Sequence, residues 1–325
     1  MKPKTRDIAI IGGGLVGLCA ALVMQHPARR VSIIEAADLG KPQPGGLNSR
    51  SIALAASSMQ IFRALGISSQ VAASAAPIRN IHVSSRGRWG VTRLRAEDYE
   101  LDALGYVIEN NALSRILLEA VEASEHIDLE DKASFESIAQ ASGVEIGYRR
   151  RDRLKRLEAD LALVADGARS QVRDALGIGH RIIDYDQAVV ICNVEVSQPR
   201  PDTAYERFTT QGPLAMLPLD GKKYACVWSL AQDRAAEICA LGEPGFCTQL
   251  QDFFGYRLGL VERAGDRFSF PIQRTRADAL RQGRCLLIGN AANALHPVAG
   301  QSFNLALRDI AALYELLAEQ DLAQF

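Results

Sequence analysis

Residues 7–35 read DIAIIGGGLVGLCAALVMQHPARRVSIIE, and this stretch decides the fold of the chain. The runs 7–11 and 31–35 are short and apolar, and each contains an Ile–Ile pair, which is typical of buried strands. Between them, residues 14–25 are apolar and rich in helix-forming side chains. The sequence therefore predicts a strand–helix–strand unit at the start of the chain.

Three glycines stand in G-x-G-x-x-G spacing where the first strand meets the helix: Gly12, Gly14 and Gly17. In this arrangement the first glycine permits a tight turn, the second lets the backbone approach a pyrophosphate, and the third lets helix and strand pack closely. The helix N-terminus offers unpaired N–H groups and a partial positive charge to the phosphates. Glu35 lies near the ~20-residue spacing expected of the carboxylate that binds ribose hydroxyls. The pattern predicts a dinucleotide site and does not by itself separate FAD from NAD.

The rest of the chain divides into helical and strand-like stretches. We predict helices over 51–65, 112–123 and 302–319, a loop over 40–46, and a β-hairpin over 145–166 that returns to the main sheet. Residues 182–270 are strand-like segments separated by turns. This texture predicts an antiparallel sheet that forms a second domain inserted into the first.

The length, composition and net charge of the chain limit the classes of protein to which it can belong. The chain has 325 residues, 48% of them hydrophobic, and a formal net charge of -1, which suits about two domains and disfavours nucleic acid as a partner. The six cysteines form no C-x-x-C pair, which favours reduced thiols. His26, His82, His126 and His180 have no ligand-like spacing, so no metal site is predicted. We find no secretory signal pattern and no apolar stretch of ~18 residues. We therefore expect a cytoplasmic protein that at most rests on a membrane.

Further motifs lie downstream and carry a family resemblance. Asp166-Gly167 and Gly289-Asn290 each follow an apolar run, and NSRSIAL occupies residues 48–54. This ordered set resembles the aromatic-ring FAD monooxygenases of the para-hydroxybenzoate hydroxylase type. Within them, the runs RFTTQGPLAMLPL at 207–219 and GNAANALHPVAGQ at 289–301 make the chain most similar to the 2-polyprenyl-6-methoxyphenol hydroxylases of ubiquinone biosynthesis.

The resemblance implies an α/β fold, a Rossmann-like FAD-binding domain with an inserted antiparallel β-sheet substrate domain. On this basis we assign residues 1–75, 101–180 and 272–325 to the FAD-binding domain. Residues 76–100 and 181–271 are assigned to the substrate domain. Relatives continue for about half a domain beyond the last helix, so we expect the C-terminal segment of the family to be absent from this chain.

The resemblance also assigns cofactor contacts residue by residue. Arg50 matches an arginine near the flavin and the pyrophosphate. Asp166 and Gly167 match a short motif tied to FAD and to NAD(P)H use, and Gly289 and Asn290 match a later motif that holds the ribityl chain and pyrophosphate. Asn290 stands where the wider family has Asp, and an amide can still bind ribityl hydroxyls. From the residues alone, Arg50 could be an ordinary surface arginine and Asp166-Gly167 a plain turn.

The last motif is expected at the flavin ring. By the same resemblance, Gly300 belongs to a turn before the C-terminal helix, and Phe303 and Asn304 match positions whose backbone N–H groups face the flavin pyrimidine edge. Pro297 matches a residue whose carbonyl lies beside the ring. His296 is a second flavin-proximal candidate, or else a packed loop histidine. A helix beginning at this turn would point its positive end at the negative charge of reduced flavin.

The implied reaction needs no side-chain acid or base, because the cofactor carries the hard chemistry. NAD(P)H reduces FAD, and one oxygen atom of O₂ is transferred to a lipophilic polyprenylated phenol. Leu214, Met216, Phe270 and Pro271 are our candidates for the lining of the substrate pocket. Two alternatives stay open: an FAD hydroxylase or epoxidase of another apolar substrate, and a flavin-binding scaffold subunit without turnover.

Such a substrate partitions into the bilayer. We therefore expect a membrane surface or other proteins of the ubiquinone pathway as partners. The run YRRRDRLKR at 148–156 holds six basic residues and one acid. It is either a solvated hairpin face or a contact for anionic lipid or a partner protein.

Overall fold

A computed structural model describes residues 4–41, 50–295 and 300–318. The strands are β1 Lys4–Ile11, β2 Val31–Ile34, β3 Ser51–Ala55, β4 Ala75–Ile78, β5 Asn80–Ser85, β6 Val91–Arg95, β7 Gly105–Glu109, β8 Ile127–Glu130, β9 Ala133–Gln140, β10 Val144–Arg150, β11 Arg153–Val164, β12 His180–Val196, β13 Thr203–Thr209, β14 Gly212–Pro218, β15 Lys223–Ala231, β16 Val261–Ala264, β17 Phe268–Ala277, β18 Arg281–Gln282, β19 Cys285–Leu287 and β20 Asn293–Ala294. The helices are α1 Leu15–Met24, α2 Ala56–Ala64, α3 Ser68–Ala73, α4 Asn110–Glu122, α5 Gln171–Ala175, α6 Gln232–Ala240, α7 Glu243–Phe254 and α8 Gln301–Ala318.

The first sheet is built around β1, which pairs in parallel with β2 on one side and with β11 on the other. Its strand order is β18-β19-β11-β1-β2-β8, and β10 and β9 continue from β11 as an antiparallel hairpin. Ile8 and Ile10 face the helices α1, α4 and α8, while Ala9 and Ile11 face the β9–β10 hairpin. Both faces are therefore covered, which explains why the second half of β1, residues 8–11, is a continuous apolar run.

The predicted strand–helix–strand unit is confirmed, as β1, α1 and β2. The predicted helices over 112–123 and 302–319 correspond to α4 and α8, and the predicted hairpin over 145–166 corresponds to β10 and β11. Most of the predicted loop over 40–46 lies outside the described residues.

One helix prediction is wrong in its first third. Residues 51–65 were expected to be helical, but Ser51–Ala55 form β3 and the helix α2 begins only at Ala56. The cause is tertiary pairing: β3 lies antiparallel to β7, which follows about fifty residues later, in a small sheet of order β3-β7-β4. Gly105 permits this pairing, because an added Cβ there would lie 2.5 Å from the carbonyl oxygen of Leu54.

The second sheet has the order β20-β17-β12-β15-β14-β13-β5-β6, with β16 paired to β12. The expected antiparallel sheet is confirmed for most neighbours, with one correction: β13 and β5 pair in parallel. The reason is that β5 comes from an earlier part of the chain and joins the free side of β13. A second correction is that α6 and α7 lie within the stretch expected to be strands and turns, and they cover one face of the sheet.

The proposed domain boundaries remain predictions, and three of them cut through strands. The divisions after residues 75, 180 and 271 fall inside β4, β12 and β17. The residues at these boundaries are paired with neighbouring strands, so the boundaries do not fall in linkers. No helix of the described residues is long and apolar enough to cross a membrane.

Candidate functional site

In the glycine-rich turn after β1, two of the three motif glycines leave no room for a side chain and the third leaves open space. An added Cβ at Gly12, where φ is +107°, would lie 2.4 Å from the carbonyl oxygen of Ala165, and one at Gly17 would lie 1.8 Å from the carbonyl oxygen of Gly12. At Gly14 an added Cβ would meet nothing within 4 Å. Gly14 also caps α1 without a side-chain hydrogen bond, so the first N–H groups of the helix have no capping side chain. An anion fits this open, positively polarised position.

Glu35 follows β2 and stands beside this turn. Its Oε2 accepts a hydrogen bond from the N–H of Gly13, and its Oε1 accepts one from the N–H of Ala37 at 2.6 Å. Each carboxylate oxygen keeps a further lone pair that a ribose hydroxyl can use. Glu35 thus holds the turn in shape, and its contact with ribose stays a prediction.

Asp166 follows β11 at the same edge of the sheet. Its Oδ2 accepts a hydrogen bond from the N–H of Val172 at 3.2 Å, at the start of α5. Its Oδ1 is buried and has no hydrogen-bond partner among the described residues. Burial raises the pKa of the Asp166 carboxyl. Gly167 beside it adopts a φ of +94°, which favours glycine. A buried oxygen without a partner is the kind of group that a cofactor hydroxyl or N–H would satisfy.

Arg173 joins the Asp166 segment to the later motif, and sequence reasoning missed this role. Its side chain is almost fully buried, and one guanidinium nitrogen donates to the carbonyl oxygens of Ala168 and Ala291, each at 3.2 Å. Ala291 ends the short 3₁₀ turn that begins with Gly289 and contains Asn290. A charged side chain buried between two backbone segments fixes both of them.

Gly289 and Asn290 stand at the same edge as the glycine-rich turn. An added Cβ at Gly289 would lie 3.0 Å from a methyl carbon of Val16, in the first turn of α1. The side chain of Asn290 is exposed and free to face solvent or a ligand. The three cofactor motifs, far apart in sequence, therefore converge on the N-terminus of α1.

The start of α8 is held by Asn304, whose side chain is 1% exposed. Its Oδ1 accepts from the N–H of Ala55 at 2.9 Å and from the hydroxyl of Ser58 at 2.7 Å. Its Nδ2 donates to the carbonyl oxygens of Ala53 at 2.9 Å and Gly300 at 3.2 Å. The first turn of α8 is thereby fixed against β3 and α2.

Of the other residues in the last motif, the structure describes Gly300 and Phe303. Gly300 has a φ of +58°, and Phe303 is buried in the core of the first domain. His296 and Pro297, the flavin-proximal candidates, lie outside the described residues. The backbone contacts expected of Phe303 and Asn304 with flavin stay predictions.

Arg50, which precedes β3 of the small sheet, contacts the second sheet. Its guanidinium carbon lies 5.8 Å from the centre of the Phe270 ring, within the range of a cation–π contact. Phe270 pairs with Val189 on the neighbouring strand, and so faces away from α6 and α7. We call this the domain-facing side of the second sheet, because Ala204 and Ala225 on the same side pack against strands of the small sheet.

The prediction that Leu214 and Met216 line the substrate pocket is wrong. Both are fully buried in the core between the second sheet and the helices α6 and α7. Pro271 pairs with Ala188, which belongs to that same core side. Of the four candidates, only Phe270 lies on the domain-facing side.

Glu206 lies on the domain-facing side, and sequence reasoning missed it. Its neighbour Tyr205 belongs to the helix-covered core, so strand alternation turns Glu206 the other way. Its cross-strand row continues through Ala215, Val227 and Ile191, all apolar and half-buried. Burial raises the pKa of the Glu206 carboxyl, and no charged partner offsets this. The sequence signal was an acid within an otherwise apolar strand face.

Comparison with known proteins agrees with this geometry. The sequence model of one family, described as FAD binding domain, matches residues 5–321. The ubiquinone hydroxylase UbiL of Rhodospirillum rubrum is 31% identical, over 97% of this chain and 72% of that protein. The 3-demethoxyubiquinol 3-hydroxylase of Escherichia coli is 31% identical, over 98% of this chain and 81% of that protein.

A solved structure supports the fold. The crystal structure of pqsL from Pseudomonas aeruginosa, a probable FAD-dependent monooxygenase, superposes with a TM-score of 0.80. The superposition covers 98% of this chain and 88% of that chain, at 20% sequence identity. The fold is therefore that of the FAD-binding monooxygenases.

Proposed function

This chain belongs to the FAD binding domain family and is an FAD-dependent monooxygenase, and on that premise we propose that it hydroxylates the ring of a polyprenylated phenol in ubiquinone biosynthesis. NAD(P)H and O₂ are the proposed co-substrates. The observation that carries the proposal is the convergence of three cofactor motifs on the N-terminus of α1, together with the row of apolar side chains beside Glu206 on the second sheet. The named hydroxylases among the relatives support the choice of reaction.

When bound, FAD supplies the redox chemistry: it accepts a hydride from NAD(P)H and activates O₂ for transfer of one oxygen atom. The N-terminus of α1 and the open backbone at Gly14 would hold the pyrophosphate. Glu35 would accept from ribose hydroxyls, and Asp166 and Asn290 would face the polar chain of the cofactor. Asn304 keeps the start of α8 in place, so that its N–H groups can meet the flavin edge.

The domain-facing side of the second sheet is the proposed substrate wall. Its row of apolar side chains suits a prenylated ring, which gains affinity by leaving water. Glu206 stands at the β13 end of that row and would accept a hydrogen bond from the phenol hydroxyl. A carboxylate at this hydroxyl increases the electron density of the ring, which favours attack by an electrophilic oxygen. Phe270 closes one end of the wall, against Arg50.

The proposed substrate also determines where the enzyme can bind it. A polyprenylated phenol partitions into the bilayer, so the enzyme must meet it at a membrane surface or receive it from a partner protein.

A spectroscopic and kinetic experiment tests the proposal. The purified protein should show a flavin spectrum after addition of FAD, and a short-chain prenylated methoxyphenol should stimulate its NAD(P)H oxidation. A protein that binds FAD but shows no stimulation, even with pathway partners present, would instead be a flavin-binding scaffold. Stimulation by an unrelated apolar substrate alone would retain the monooxygenase and replace the pathway.

A further inference from the structure

The hairpin formed by β5 and β6 ends in an exposed apolar tip. The turn between the strands reads RGRWG over residues 86–90. Trp89 has a relative exposure of 103%, and Val91 beside it is 49% exposed. A tryptophan in water at the tip of a hairpin leaves a large apolar ring without contacts. Tryptophan is enriched at protein interfaces and in membrane-interface belts, because its ring is apolar while its N–H can stay hydrated.

The same hairpin is strongly basic. Residues 80–95 contain four arginines, Arg86, Arg88, Arg93 and Arg95, and no acid. Arg86 is oriented by stacking over the Phe253 ring at 4.5 Å. Arg95 has an ion pair with Glu97 at 3.1 Å, in which both side chains are largely exposed. An exposed tryptophan surrounded by arginines is the composition of segments that lie in the interface of an anionic bilayer.

In the basic run at 148–156, the other candidate for a lipid contact, four of the six basic side chains are in contrast paired with acids. Arg149 pairs with Glu136 at 2.7 Å, and Arg150 pairs with Glu130 and with Asp131 at 2.9 Å. Two more of its bases, Lys155 and Arg156, also have ion pairs with acids of neighbouring strands. Since most of its basic side chains are already paired, this run is the weaker candidate.

The tip also lies next to one end of the proposed substrate wall on the second sheet. β5 runs parallel to β13, with Ser85 opposite Phe208, and the N–H of Arg86 donates to the carbonyl of Phe208. The row that starts at Phe208 crosses the sheet and reaches Phe270, which contacts Arg50. The hairpin tip therefore extends beyond the outer end of the proposed substrate wall.

We propose that the tip of the β5–β6 hairpin, residues 86–91, docks on an anionic lipid bilayer. Trp89 and Val91 enter the interfacial layer, and the arginines meet the lipid phosphates. Docking there brings the outer end of the substrate wall to the surface from which a prenylated phenol leaves the bilayer. This role of the hairpin in substrate delivery rests on the proposed function, whereas the lipid contact itself can be measured without substrate.

The chain carries its own reporter for this contact. It has two tryptophans, and Trp228 is fully buried, so a change in emission on adding vesicles reports on Trp89. We expect a blue shift and co-sedimentation with vesicles of phosphatidylcholine plus phosphatidylglycerol, and much less with phosphatidylcholine alone. Trp89→Ser should weaken co-sedimentation roughly tenfold, and Arg88→Glu should weaken it at least about fivefold.

Leu154→Ser is the matched control, because Leu154 is 59% exposed near the tip of the β10–β11 hairpin, whose basic side chains are mostly paired. It should bind vesicles as the wild type does. If Leu154→Ser loses binding while Trp89→Ser keeps it, or if the wild type binds neither kind of vesicle, the inference is overturned.

A second readout separates this inference from the proposed function. Trp89→Ser should oxidise NAD(P)H normally with a short-chain phenol in solution, and poorly with a long-chain phenol presented in vesicles. If the short-chain phenol fails with every variant while anionic vesicles still bind, the proposed function fails and the lipid contact stands. If Trp89→Ser handles vesicle-borne substrate as well as the wild type, the hairpin is not the docking surface.

Discussion

Gly14 and Gly17 lie one helical turn apart, yet their backbones have opposite surroundings. An added side chain at Gly14 projects into open space, whereas one at Gly17 collides with the carbonyl of Gly12. The first position is therefore free for a ligand, and the second is closed by packing.

Gly14→Val should lower FAD affinity at least about 100-fold while leaving the apoprotein folded, because the valine fills only the space that the pyrophosphate needs. Gly17→Ala should instead destabilise the fold by at least about 3 kcal/mol. Flavin absorbance after gel filtration and thermal unfolding of the apoproteins measure the two effects. Equal FAD binding by Gly14→Val and the wild type would remove the pyrophosphate from this turn.

Glu206 is the residue whose protonation should be visible in the kinetics. Burial raises its pKa above the ordinary value of 4.5, and only its deprotonated form can accept the phenol hydrogen bond. The value of kcat/KM should therefore be highest above that raised pKa and should fall as the pH decreases through it.

Glu206→Gln should lower kcat/KM about tenfold or more, the cost of one charge-assisted hydrogen bond, and should abolish this acidic limb. FAD affinity should not change, since the residue lies on the substrate wall. A pH profile with the same acidic limb in Glu206→Gln would assign that limb to another group.

At the scale of elements, the start of α8 depends on a single side chain. Asn304→Ala leaves two backbone carbonyls, one backbone N–H and the Ser58 hydroxyl without their partner. The free energy of unfolding should fall by about 2–4 kcal/mol, and FAD affinity should fall with it. Leu316→Ala, on an exposed position of the same helix, should change stability by less than about 0.5 kcal/mol. Chemical denaturation of both variants tests this contrast.

Elements determined by local pattern could be predicted from the sequence, and elements determined by distant pairing could not. The unit over 7–35 was predictable because its strands, glycines and helix are contiguous. β3 was mistaken for helix because its partner β7 is remote, and nothing local in SIALA distinguishes the two states.

The candidate site shows the same limit. Strand alternation says that Leu214 and Met216 share a side of β14, but not whether α6 and α7 cover that side. Arg173 and Glu206 were missed because their meaning depends on burial. A buried arginine between two motifs and a half-buried acid in an apolar row look ordinary in a one-dimensional sequence.

At the scale of the whole molecule, Arg50, which precedes β3 of the small sheet, contacts Phe270 on the domain-facing side of the second sheet. The polar groups proposed for the cofactor lie around the N-terminus of α1, and the apolar row with Glu206 belongs to the second sheet. Because the substrate side is apolar apart from Glu206, the enzyme should prefer apolar phenols to charged ones.

para-Hydroxybenzoate should be a poor substrate, with kcat/KM at least about 100-fold below that of a prenylated methoxyphenol. With its hydroxyl at Glu206, its carboxylate would lose water against the apolar side chains of the substrate wall, and such an unpaired buried charge costs several kcal/mol. Steady-state NAD(P)H oxidation with both compounds measures the ratio. A preference for para-hydroxybenzoate would keep the monooxygenase fold and exclude the ubiquinone pathway.

The most direct test is the fate of the oxygen atom. The FAD-loaded protein would be incubated with NAD(P)H and a short-chain prenylated methoxyphenol under ¹⁸O₂, and the product analysed by mass spectrometry. We predict a ring-hydroxylated product that carries one labelled oxygen atom. Oxidation of NAD(P)H that yields only hydrogen peroxide, or a product whose new oxygen comes from water, would contradict the assignment as a phenol hydroxylase.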